Sequence, residues 1–326
     1  MKKLLLLFVL LFSQFISAQT YKKSEPFTHT YSIVARDSVT GDIGVAVQSH
    51  WFSVGSVVTY GKAGVGVVAT QSLVNPSYGP KGLALMEQGL SPQQALDVLL
   101  ANDNGEMYRQ VAFLDNEGNV ATHTGSSCIE MAGHKQGKNF SVQANMMLNN
   151  TVWDAMANAF ESTVGTLQER ILAALKAAEN QKGDIRGKQS AAILIVKGHA
   201  TGNSWEDIIM DLRVEDHENP IKELERLINI HKAYDYMNKG DLAMEEGDSQ
   251  KAEQLYLNAQ KLFPSNLEMK YWYAINLLNN KNFDKAKPIL QSIFKEDFNW
   301  RTLTARLVKS KLLVISDYEL EKVMKL

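Results

Sequence analysis

Between residues 30 and 71 the chain reads TYSIVARDSVTGDIGVAVQSHWFSVGSVVTYGKAGVGVVATQ, a series of short β-branched runs broken by glycine. β-Branched side chains favour extended backbone, and the Gly and Asp residues between them supply tight turns. The pattern predicts strands over 31–35, 43–48, 54–60 and 65–71, with a turn over 37–41 between the first two. The apolar runs are nearly continuous instead of alternating, so the sheet they form is expected to be covered on both faces. The rest of the chain must supply that cover.

Downstream, helices and strands arrive in groups. Residues 72–82, SLVNPSYGPKG, are rich in turn formers and read as a loop. Helices are predicted over 83–88 and 92–100, the second capped by Ser91 with Pro92 in its first turn. A hairpin over 108–114 and 119–123 turns through Asp115-Asn116-Glu117-Gly118, a loop covers 125–138, and a strand runs over 140–147. Apolar residues at helical spacing mark helices over 152–162 and 167–180. A polar turn over 183–187 precedes strands over 190–196 and 208–214. Pairs of helices between groups of strands point to a layered sandwich, unlike the regular alternation of a doubly wound fold.

At 326 residues the chain is long enough for about two domains. From Pro220 the pattern becomes wholly helical, and after Ala233 a period of 34 residues emerges, as in a tetratricopeptide repeat (TPR). The first repeat, 233–266, carries Tyr236, Gly240, Gly247, Asp248, Ala252, Tyr256, Ala259 and Pro264. The second, 267–300, keeps Ala274, Phe283, Ala286, Leu290 and Ile293, with Phe298 where proline is usual. Residues 301–314 and 318–326 read as a third pair or a cap. The domain reading is therefore 30–231 for the sandwich and 232–326 for an all-α TPR-like domain.

The start of the chain has its own logic. Lys2-Lys3, an apolar run over 4–12 and Ile16-Ser17-Ala18 form a signal-peptide pattern over 1–18, too short an apolar run to cross a bilayer. Export to the periplasm or outside the cell is the expectation, with no membrane span after signal removal. Residues 19–29 are polar and aperiodic and read as a flexible leader. A formal charge of -2 argues against a nucleic-acid partner, and one cysteine, Cys128, excludes an intramolecular disulfide.

The chemistry is defined first by what is missing. Seven histidines show no HExxH motif or paired spacing with cysteine, so no metal site is expected; no GxSxG elbow or dinucleotide fingerprint is present, and no cofactor is called for. What remains is Thr30 at the head of the first strand. Cleavage before it would set its hydroxyl beside its own α-amine, whose ordinary pKa of ~7.7–8.0 suits a general base. A strand-edge threonine is also simply a good β former. Cys128 with His134 is the alternative nucleophile and base.

The series TYSIVARDSVTGDIGVAVQS, AGVGVVATQ, NPSYGPKGL, TGSSC with AGH, VQAN, GDIRGKQSAAILIV and DLRVEDHENP with LINIH resembles domain-of-unknown-function family 1028 over about residues 28–231. That family is similar to the N-terminal nucleophile (Ntn) hydrolases. The resemblance implies an α+β fold, a four-layer αββα sandwich, with Thr30 as the candidate nucleophile. Many such relatives look as if the threonine directly follows the initiator methionine, whereas here a signal and a leader ending in His29 precede it, so exposure requires proteolysis. Gln71 and Asn145 are candidate donors to a developing oxyanion. Asn75, Lys62 and Arg36 are candidate substrate-binding residues, and Asp184–Arg186 and Asp211–Arg213 are expected ion pairs. The expected substrate is a small-molecule or peptide amide, cell-wall peptides included, and the expected partner of 232–326 is a protein. The competing reading is a non-catalytic scaffold working through that tail.

Overall fold

The computed structural model describes residues 27–326; the signal pattern over 1–18 and leader residues 19–26 lie outside the described residues. The chain divides into two compact units, Met1–Leu224 and Glu225–Leu326.

The first unit contains two antiparallel sheets. One has the strand order β11-β10-β3-β2-β9-β8, built from β2 (Thr30–Arg36), β3 (Ile43–Ser49), β8 (Gly133–Gly137), β9 (Phe140–Ala144), β10 (Ser190–Val196) and β11 (Ile208–Val214). The other has the order β1-β5-β6-β7, from β1 (Phe27–Thr28), β5 (Gly66–Leu73), β6 (Arg109–Asp115) and β7 (Val120–Thr124), with β4 (Thr59–Lys62) also paired to β5. The sheets face each other through β2 and β3 on one side and β5 and β6 on the other. Helices α2 (Tyr78–Glu87) and α3 (Pro92–Ala101) cover the second sheet, and α4 (Val152–Ser162) and α5 (Leu167–Asn180) cover the first. This is a four-layer αββα sandwich.

The interior between the sheets is divided by polarity. Val34, Ile43, Val45, Val47, Val67, Ala69 and Leu114 form an apolar cluster at one end. At the other end, Thr30, Ser32, Gln71, Gln110, Gln143 and Asn145 are equally buried. Strand alternation explains the split along a single strand: Thr30, Ser32 and Val34 share one face of β2, while Tyr31 and Ile33 turn to the helices.

Four elements differ from the sequence reading. The valine-rich run expected as a strand over 54–60 is a short helix, α1 (Gly55–Val58), with the strand starting only at Thr59. Tertiary contact overrides β propensity: Val54 and Val58 drop into the apolar cluster, and Gly55 lies so close to β10 that a Cβ there would meet the Ala192 methyl at 2.4 Å. The expected loop SLVNPSYGPKG begins on the last two residues of β5 and ends in the first residues of α2, and Gly79 and Gly82 let that helix sit directly on the rings of Tyr60 and Phe113. Within the expected loop over 125–138, Gly133–Gly137 is an edge strand, whose polar sequence is suited to a sheet border. The leader residues nearest Thr30 are not loose: Phe27–Thr28 pairs with Leu73 and Ser72 of β5, and Thr28 and His29 are buried.

The second unit is helical. It contains most of α6 (Pro220–Glu245), then α7 (Ser249–Leu262), α8 (Leu267–Asn279), α9 (Phe283–Glu296), α10 (Asn299–Lys309) and α11 (Asp317–Met324). The repeat positions are its core: Ala252 and Ala286, Tyr256 and Leu290, and Ala259 and Ile293 are each 34 apart and all buried. Gly247, at φ 80°, turns the chain into α7, which Asp248 caps by accepting from Lys251 N. No described helix is long and apolar enough to cross a membrane.

One buried ion pair fixes the end of the second sheet. Arg109 Nε donates to Asp103 Oδ2 at 2.8 Å and its Nη1 to the Leu73 carbonyl at 2.6 Å, while Asn75 and the Tyr78 hydroxyl also donate to Asp103. Burial pushes the Asp103 carboxyl up, but hydrogen bonds from Arg109 and Gly105 outweigh it and carry the pKa down from 3.8 to about 2. A shift of that size is worth roughly 2 kcal/mol, present above the unfolded pKa. Stability should therefore fall as pH drops from about 4 toward 2. Asp103→Asn should flatten that part of the pH profile and destabilise the unit by about 3 kcal/mol in urea unfolding, because it leaves Arg109 buried without its anion.

Candidate active site

The site begins where the chain changes sheets. Thr28 belongs to the sheet of β5, Thr30 opens β2 in the opposite sheet, and His29 makes the crossing with 4 % of its surface exposed. Antiparallel pairing sets Thr30 opposite Ser49 at the end of β3, with both side chains on the inter-sheet face. Ser49 Oγ donates to the His29 carbonyl at 2.6 Å. The same oxygen accepts from Arg186 Nη2 at 2.8 Å. Asp184, fully buried in its side chain, holds the guanidinium through Oδ1 to Nε at 3.0 Å and Oδ2 to Nη2 at 2.7 Å. The carbonyl of the peptide joining His29 to Thr30 thus carries a hydroxyl donor and a cationic donor.

Thr30 itself is fastened at both ends. Its carbonyl accepts from Asn145 N at 3.0 Å, Gln71 Nε2 at 3.2 Å and Asn145 Nδ2 at 3.4 Å. Its hydroxyl donates to the Thr28 carbonyl at 2.8 Å. Gln71 and Asn145 are held in turn by Gln110, whose Oε1 accepts from Gln71 Nε2 at 2.7 Å and Asn145 Nδ2 at 2.9 Å. Gln110 Nε2 donates to the Ala144 carbonyl and Thr124 Oγ1. Ser32 and Gln143 extend the network, with Ser32 Oγ donating to Gln71 Oε1 at 2.6 Å.

That network also sets the histidine tautomer. Asn145 Nδ2 is engaged as a donor, so its Oδ1, 2.9 Å from His29 Nδ1, is the acceptor and Nδ1 carries the proton. Burial lowers the His29 pKa; the Asn145 hydrogen bond opposes this and the Arg186 charge adds to it. The ring is neutral at physiological pH.

The residues singled out in the sequence divide accordingly. Thr30, Gln71 and Asn145 come together, but the two amides grip the Thr30 backbone and do not reach its hydroxyl. Asn75 lies in the Asp103 cluster. Lys62 pairs with Glu87 at 2.6 Å, five residues along β5 from the level of Gln71, or ~17 Å away. Arg36 donates to the Asn116 carbonyl at the far end of β2, ~20 Å from Thr30. Cys128 donates to the Arg109 carbonyl, and burial raises its thiol pKa; His134 Nδ1 instead meets Thr124 Oγ1. The ion pairs Asp184–Arg186 and Asp211–Arg213 are both formed. Ser49 and Gln110 are neighbours of Thr30 that motif reading left unassigned, and Arg186, read there only as the partner of Asp184, also reaches the His29 carbonyl. No group of three or more His, Cys, Asp or Glu side chains suited to a metal ion lies among the described residues.

The family of unknown function DUF1028 matches residues 30–224, opening at Thr30 itself. The chain belongs to that family. A crystal structure of a DUF1028 protein from Silicibacter pomeroyi is similar at 33 % identity and a TM-score of 0.56, covering 62 % of this chain and 88 % of that one. The Anbu protein (ancestral β-subunit) of Yersinia bercovieri matches at 11 % identity and a TM-score of 0.31, covering 62 % of this chain and 96 % of that one. A tetratricopeptide repeat matches residues 243–307. No curated protein matches the chain.

In the DUF1028 unit, Gln110 is the side chain on which both amides at Thr30 depend. Gln110→Leu keeps the volume but strands two buried donors, each worth roughly 1–3 kcal/mol. The variant should lose about 2–4 kcal/mol in urea unfolding, whereas Lys62→Ala, which removes an exposed pair, should change stability by less than about 1 kcal/mol.

Proposed function

We propose that this DUF1028 protein is an exported amidohydrolase that uses Thr30 as an N-terminal nucleophile once the bond between His29 and Thr30 is cut. The observation that carries the reading is the pair of donors on the His29 carbonyl, Ser49 Oγ and Arg186 Nη2. Two donors on one peptide oxygen, one of them a cation, form the environment that stabilises an oxyanion. They act on the one peptide whose cleavage would free the Thr30 amine. The family match beginning at Thr30 supports the same position, and export rests on the signal pattern over 1–18.

Removal of the leader has two local effects. It takes away the Thr28 carbonyl that holds the Thr30 hydroxyl, and it leaves Ser49 and Arg186 facing the space the His29 carbonyl filled. An incoming amide carbonyl can take that place. Thr30 Oγ then attacks the carbonyl carbon while the Thr30 α-amine accepts the hydroxyl proton. Ser49 and Arg186 hold the oxyanion, and Gln71 and Asn145 keep the nucleophile's backbone still. As the carbon–nitrogen bond breaks, the ammonium returns its proton to the leaving nitrogen, giving an ester on Thr30. Water, deprotonated by the same amine, attacks the ester carbon; the ester bond breaks, the acid departs and the hydroxyl is restored. The substrate class is a small-molecule or peptide amide, cell-wall peptides included.

A β-lactone probe, which acylates nucleophilic hydroxyls, tests the assignment without knowledge of the substrate. Peptide mapping should place the adduct on Thr30 in the mature chain, with Thr30→Ser labelled and Thr30→Ala not. Labelling should increase with pH through a limb at or below ~8, because the amine must be neutral. Equal labelling of Thr30→Ala, or an adduct confined to another residue, refutes the proposal.

A further inference from the structure

The helical unit contains a cavity of about 380 Å³ lined by Asp241 and Glu245 of α6, Tyr256 of α7, and Trp272, Ile275 and Asn276 of α8, among others. No Lys, Arg or His is in the lining. Asp241 Oδ1 accepts from the Tyr256 hydroxyl at 2.6 Å. Partial burial raises the Asp241 pKa; the Tyr256 hydrogen bond opposes the rise, and the charges of Glu245 and Glu268 add to it. Two carboxylates thus share one cavity, and no cationic side chain in the lining is paired with them.

The floor supplies an independent observation. Asn276 is 5 % exposed, and its Oδ1 accepts from Asn280 Nδ2 at 2.9 Å. Its Nδ2 makes no hydrogen bond of ordinary geometry, although it lies near enough to the Tyr256 hydroxyl to oppose slightly the rise in that group's pKa. A buried amide N–H lacking an acceptor is uncommon in folded proteins. An oxygen on a molecule seated in the cavity would give that N–H a full acceptor. The Trp272 ring, tethered through Nε1 to Glu268 Oε1 at 3.3 Å, adds an aromatic surface on which a cation or its alkyl stem can rest.

These demands define the occupant: a cation for Asp241 and Glu245, an apolar stem for Trp272 and Ile275, and a carbonyl oxygen for Asn276. We propose that this cavity binds a lysine or arginine side chain of a peptide partner, with a backbone carbonyl of that peptide accepting from Asn276 Nδ2. Repeats of this kind present a surface to extended chains, and the charge of this one selects a basic segment.

Isothermal titration calorimetry on the full chain, with acetyl-Gly-Lys-Gly-amide and the same tripeptide carrying norleucine or glutamate in place of lysine, tests the inference. The lysine peptide should bind at least tenfold more tightly than the norleucine peptide, and the glutamate peptide more weakly than either. Glu245→Gln, an exposed change that leaves the packing intact, should reduce the lysine preference at least threefold; Asp241→Asn with Glu245→Gln should abolish it. Asn276→Leu should weaken the lysine and norleucine peptides alike. Equal binding of lysine and norleucine peptides, no binding of the lysine peptide at millimolar concentration, or a lysine preference untouched by the double variant overturns the proposal.

Discussion

The arrangement depends on one peptide group hung between two sheets. The backbone leaves the β5 sheet at Thr28 and enters the opposite sheet at Thr30, so the His29–Thr30 peptide lies in the crossing between the two ladders. A buried carbonyl in that position must be satisfied by side chains. Ser49 and Arg186 satisfy it, and Asp184 satisfies Arg186. Removing Asp184 would leave a guanidinium poorly compensated next to the strand end, which accounts for a fully buried carboxylate in the turn over 183–187.

The polar half of the sandwich interior follows from the same need. An apolar core would pack the two sheets equally well, as it does around Val34, Val47 and Leu114. At the Thr30 end the interior instead contains three glutamines and an asparagine whose donors and acceptors interlock. Such a network holds a backbone in one position, because each partial displacement leaves a buried group unpaired. Thr30 is thereby fixed in place by its carbonyl, and under the proposed function its hydroxyl and nitrogen are the groups that do the chemistry. Gln71 and Asn145 are best understood as positioning residues for that backbone.

Much of this was legible in the sequence, and what was not had physical causes. The strands of the sandwich, the helix pairs over 152–162 and 167–180, and the 34-residue period were visible because burial imposes periodicity on long runs. Thr30 was visible through its place at the head of a strand and through the family motifs. Ser49 was hidden because its role depends on register: only the turn over 37–41 sets it opposite Thr30. Arg186 was visible as half of a pair with Asp184, but its reach to the His29 carbonyl, 157 residues away in sequence, is a tertiary fact. Lys62 and Arg36 looked available because they are charged residues beside strand motifs, yet both lie at the far ends of their strands. The valine run over 54–58 misled for a related reason, since packing against β10 decided its conformation over its intrinsic preference.

The central claim is that the leader is fastened so that its cleavage falls at one bond. Intact mass and N-terminal sequencing of the protein purified from the exported fraction address this directly. The account predicts a mature chain that begins at Thr30, with an Arg186→Gln variant accumulating as a longer form that still carries His29. A wild-type chain that hydrolyses amides while its N-terminus remains at or before His29 would contradict it.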